Sequence, residues 1–125
     1  MKAVLKNVSS PDVDLQTFVP SDSTHFGFLL EAFYGLTEGE GEDRFQFLVG
    51  TDSWLREMKG TTAYFGVGTI LVQSYDFTEI KALLEWLAAE CDGADWLTIA
   101  TKLDRYGHSE FRDYKPAVGS PGQAG

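Results

Sequence analysis

With 125 residues and 43% hydrophobic content, the chain fits a single domain, long enough to bury most of its apolar surface in one core without staples. Its net charge of -9 repels phosphate backbones and attracts basic surfaces, which disfavours direct nucleic-acid binding. Cys91, the only cysteine, excludes an internal disulfide and has no CxxC or Cys/His spacing around it, so no zinc site is expected and a reducing cytoplasm fits best; no apolar run approaches membrane-spanning length.

Residues 2–8 read as a first short strand, ended by the turn chemistry of Ser9-Ser10-Pro11-Asp12, and residues 15–22 read as irregular. From Phe26 the alternation Phe26, Phe28, Leu30, Ala32, Tyr34 places apolar groups on one face, and Phe45, Phe47, Val49 repeats it. The two runs are expected to pair as an antiparallel hairpin. Their connection, residues 35–43, is long for a hairpin and carries Glu38, Glu40, Glu42 and Asp43, whose mutual repulsion should keep its tip in solvent.

Asp52 can cap a short helix bearing Trp54, Leu55 and Met58, and Gly60 suits a left-handed stop. Residues 61–75 have strand composition interrupted by a turn near Gly66 or Gly68, with the second half the firmer strand. Asp76-Phe77-Thr78-Glu79 has capping-box spacing and opens a helix with Ile80, Leu83, Leu84 and Leu87 at helical intervals. Cys91-Asp92-Gly93 breaks it, and Trp96, Ile99, Ala100 and Leu103 form a second apolar stripe. The expected fold is α+β: an antiparallel sheet of about four strands covered on one face by two C-terminal helices, plus one short helix. Residues 1–115 are expected to form the single domain. Residues 116–125, rich in Gly, Pro, Ser and Ala, read as a disordered tail.

The sequence carries little chemistry. His25 and His108 sit in no catalytic motif and read as surface or capping residues, and Ser9, Ser10, Ser53 and Ser109 lack a GxSxG setting. Glu110 and Asp113 read as ion-pair partners for Arg112, Arg105 or Lys102, while Phe111 and Tyr114 pin the chain end onto the domain. Gly66-x-Gly68 is a turn and not a phosphate loop. Trp54 and Trp96 fall on apolar stripes and read as core; Trp86 falls at a stripe's edge and is expected to be partly open. No catalytic residue, cofactor or metal ligand is expected.

The order of motifs is more specific. An aromatic hairpin is followed by Thr51-Asp52-Ser53-Trp54-Leu55, a strand ending Val72-Gln73-Ser74-Tyr75-Asp76, two helices, and Arg105-Tyr106 before Glu110-Phe111-Arg112-Asp113-Tyr114. Taken together this resembles the immunity protein eight family of bacterial polymorphic toxin systems, over roughly residues 1–115. The chain departs from the family in having Ser109 where members usually carry Trp. The resemblance implies an antidote, encoded beside a toxin delivered between competing bacteria, that binds the toxin's effector domain in the cytoplasm of the producer and its kin.

The charge accords with that reading, because many delivered toxins act on nucleic acid and carry basic clefts that an acidic protein can occlude. The expected partner-binding set is the anionic loop, Glu38, Glu40, Glu42 and Asp43, together with Glu85, Glu90 and Asp92, with Tyr34 or Trp86 as the desolvated anchor. The rival readings are a non-catalytic adaptor and a small hydrolase using His108 and Glu110; a deep pocket joining those side chains would favour the enzyme.

Overall fold

The computed structural model describes residues 1–60, 63 and 65–109. The string 110–114, the tail 116–125 and part of the 61–75 run lie outside the described residues. The elements follow in the order β1 (Ala3–Ser9), β2 (Gly27–Leu36), β3 (Asp43–Thr51), α1 (Asp52–Lys59), β4 (Thr69–Val72), α2 (Phe77–Glu90), α3 (Trp96–Leu103) and β5 (His108–Ser109). This is the expected α+β class, and its sheet is mostly antiparallel.

The β2–β3 hairpin forms as the alternation requires. Phe28 lies opposite Val49, Leu30 opposite Phe47 and Ala32 opposite Phe45, so all six side chains share one face and are buried. β1 adds Ala3, Leu5 and Val8 to that face, with a shift of register between Leu5 and Asn7. Helix α2 covers it with Ile80, Leu84, Leu87 and Ala88, and α3 with Ile99 and Leu103. Asp76 caps α2 by accepting from the Thr78 and Glu79 amides at 3.0 and 3.4 Å, and Asp95 caps α3 by accepting from Thr98 N at 2.8 Å.

Two features differ from the sequence reading. Thr51, not Asp52, occupies the cap position of α1; its hydroxyl takes the Phe26 amide at 3.1 Å, and Asp52 instead holds Arg56 one turn on at 2.9 Å. Gly60 closes the helix in the left-handed region at φ 68°, as expected. The second difference is β4, which runs parallel to β3 because the α1 crossover brings the chain back to start alongside Leu48. The Trp54 ring occupies the space beside Gly27 and Gly50, whose missing side chains would project from the sheet face opposite α2 and α3. The short helix therefore sits on the other layer.

Residues 15–22 are irregular as expected, and the wider stretch 10–26 between β1 and β2 does structural work. Beyond the end of β1, Ser10 Oγ donates to Leu29 O and the Asp12 carboxylate accepts from Leu29 N at 2.5 and 2.8 Å, which satisfies the β2 backbone where its neighbour has run out. Phe18 then packs edge-on against Phe28 and Tyr75 and closes that end of the core.

Tyr34 is fully buried, and its hydroxyl donates to Leu84 O at 2.8 Å. Burial holds its phenol well above the ordinary value of 10.0, and burial likewise raises the Cys91 thiol from 9.0. A folded-state pKa raised above the unfolded one favours folding fully below the unfolded value, and that contribution is lost as pH rises. Stability is thus expected to fall as pH rises past about 9, where the unfolded thiol ionises, and more steeply past about 10, where the unfolded phenol does, and Tyr34→Phe should flatten the upper part of the decline. Urea titrations at stepped alkaline pH would check this; equal slopes in the two proteins would show that Tyr34 is not the source.

Candidate functional site

The acidic connection narrows to residues 37–42 once the strands are drawn, and its base is tied to β1. Lys6 Nζ donates to Gly39 O, Thr37 N donates to Lys2 O at 3.3 Å, and Gly39 N turns back to Leu36 O at 3.1 Å. Gly35 and Gly41 meet so closely that a Cβ on Gly35 would stand 2.2 Å from Gly41 O. Glu38, Glu40 and Glu42 are exposed. Such a loop holds its carboxylates out from a fixed base.

The same end of the molecule collects the α2–α3 link. Trp96 Nε1 donates to Asp43 Oδ2 at 2.5 Å, joining the start of α3 to the start of β3. Met1 N donates to Gly93 O at 2.9 Å, and Lys2 and Asp92 form an isolated bridge. Asp92 and Asp95 therefore stand near the loop, and the acids of this pole outnumber the lysines Lys2, Lys6 and Lys102 among them. Two shallow clefts of about 180 and 470 Å³ flank the loop and share Leu36 and Gly39.

Not every expected residue is equally available. Glu38, Glu40 and Glu42 are open to a partner, as are Glu85 and Glu90 on α2. Asp43 is engaged with Trp96, and the Asp92 carboxylate lies 3.9 Å from Lys2 Nζ and 4.0 Å from Lys102 Nζ, so part of its charge is balanced within the chain. Tyr34, expected as a surface anchor, is corrected by its burial: it belongs to the core, beneath α2. Trp86 is 52% exposed, but it lines a separate groove beside Leu83 and Tyr106 and not the loop clefts. Leu83 was expected on the buried stripe and is instead 45% exposed. The predicted site thus divides into an acidic pole and an apolar groove.

One constellation resembles catalytic wiring. His25 Nδ1 lies 2.8 Å from Ser53 Oγ, and its Nε2 lies 3.5 Å from Glu57 Oε2. A working triad needs a buried orienting carboxylate and a substrate cleft over the nucleophile. Here the Glu57 side chain is 76% exposed, and the clefts at the acidic pole and along β4 include none of the three residues. The arrangement is a surface hydrogen-bond chain tying the approach to β2 onto α1. His108 lies over Gly68 and, in β5, opposite Gln46.

Among the described residues no group of three or more His, Cys, Asp or Glu could hold a metal ion, and no helix is long and apolar enough to cross a membrane. Of the comparisons with known proteins, a family model described as Immunity protein 8 matches residues 3–114. No curated protein and no solved structure matches the chain significantly.

Proposed function

The chain belongs to the Immunity protein 8 family, and from that premise we propose that it binds a cognate toxin domain, a nuclease, and neutralises it by covering its basic active site. The observation that carries this reading is the acidic pole. Three exposed carboxylates project from a loop whose base is fixed by Lys6 and by the Gly35–Gly41 approach, on a chain of net charge -9. A fixed base matters because a loop that is ordered before binding loses little conformational freedom on docking. A concentrated negative field steers a basic partner and speeds encounter, and it disfavours acidic competitors. The inhibitor's own work is steric and electrostatic; binding takes place in the cytoplasm of the producing cell, and no bond is made or broken.

The test is association with the toxin domain encoded beside the chain. Converting Glu38, Glu40 and Glu42 together to Gln should slow association about tenfold at low salt and flatten its dependence on ionic strength, with a smaller change in dissociation. Stopped-flow mixing of the two purified proteins reads both quantities. On-rates that do not change would remove the loop from the interface. Failure of the unaltered chain to bind or protect would remove the function.

A further inference from the structure

A groove runs between helix α2 and the outer edge of β4. It consists of two clefts of about 210 and 390 Å³ that share Ile70, Leu71 and Leu83. Each alone lies below or near the small end of the about 300–1,000 Å³ typical of small-molecule pockets, but in sequence they form an elongated channel. One end is apolar, with Trp86 and Tyr106 52% and 51% exposed; the other carries Asp76 and Glu79.

The strand beside this channel is an open edge. Among the described residues β4 has β3 on one side and no strand on the other. Leu48 N donates to Gly68 O at 2.7 Å, and in a parallel ladder every second residue bonds the same neighbour. Gly68, Ile70 and Val72 therefore face β3, whereas the N–H and C=O of Leu71 point outward. Leu71 is also 62% exposed. Short edge strands are usually shielded by charge, proline or a covering segment, because an unpaired edge templates a new strand. β4 reads Thr-Ile-Leu-Val, with no charge and no proline in the strand itself. β5 pairs His108 with Gln46 and Ser109 with Phe45, so at Ser109 the backbone is heading away from Leu48 and from β4.

We propose that this edge groove takes an extended segment of the toxin, apolar side chains beside a basic one, which joins the sheet as a strand outside β4. The proposal rests on the reading of the chain as a toxin-binding immunity protein and adds a second contact to the acidic pole. The backbone of Leu71 supplies main-chain hydrogen bonds, Trp86, Leu83 and Tyr106 take alternate apolar side chains, and Glu79 at the polar end takes the cation. Two patches on one rigid body engage the same partner, so each strengthens the other through effective concentration.

The experiment uses the full chain and the neighbouring toxin domain. Hydrogen exchange of the Leu71 amide, fast in the free protein, should slow at least about tenfold in the complex. Leu71→Pro removes an outward N–H that no ladder bond uses, so the edge strand tolerates it, and Trp86→Ala removes a half-exposed ring; each should weaken binding by about tenfold or more with thermal melting unchanged. A complex in which Leu71 exchanges at its free rate, with both variants binding within about twofold of the parent, overturns the groove while leaving the acidic pole intact. A dimer of the free chain that Leu71→Pro abolishes overturns it too, by giving the edge to a second copy. If the unaltered chain forms no complex at all, the immunity reading itself fails.

Discussion

Truncating Tyr34 to alanine is expected to lower the unfolding free energy by about 3–5 kcal/mol, the range for deleting a large aromatic from a closed core. The ring is fully buried and meets Phe45 edge-on at 5.7 Å between centroids, so removal leaves a cavity between β2, β3 and α2. Tyr34→Phe keeps the ring and loses only the bond to Leu84 O, a carbonyl within α2, and should cost about 0.5–1.5 kcal/mol. Urea denaturation of the three proteins separates the contributions. A loss below about 1.5 kcal/mol for the alanine variant would mean that the ring is not enclosed as described.

Gly35→Ala is expected to destabilise the fold by about 1–3 kcal/mol, because the new methyl group would meet the backbone oxygen of Gly41 at 2.2 Å and neither strand end can withdraw without opening the loop base. The same change at Gly41 meets nothing within 4 Å, at a residue whose φ is not positive, and should be neutral or slightly stabilising. The pair makes a clean comparison, since both replace glycine by alanine on the two sides of one close approach, Gly35 at the end of β2 and Gly41 in the loop. If the two variants melt together, the close approach is not what holds the loop. Gly35→Ala should also weaken toxin binding, whereas Gly41→Ala should leave it alone.

Much of the architecture was legible because the governing patterns are local. Period-two alternation located β2 and β3, and Asp76 and Gly60 marked helix ends by satisfying or redirecting backbone groups at those positions. The parallel pairing of β4 was not legible, since it depends on where a crossover helix sets the chain down and not on the strand's own residues. Tyr34 is a different case: its parity with Phe28, Leu30 and Ala32 already assigned it to the buried face, so the signal was present and its position beside an exposed loop obscured it. Leu83 falls beside Leu84 on α2, but β4 is only four residues long and the sheet stops before it can cover that flank. The contacts that shape the acidic pole join residues far apart in the chain, Trp96 to Asp43 and Lys6 to Gly39, and no spacing rule reaches across such distances. Sequence counted Asp92 as available charge, and only the fold places lysines on both sides of it.

The fastening of the 37–42 loop by Lys6 and the two close-packed glycines has an evolutionary corollary. Positions 38, 40 and 42 contribute nothing to the core, so their chemistry can drift without disturbing the scaffold beneath. A lineage pressed to recognise altered poisons could rewrite those letters first and leave the supporting grammar unchanged.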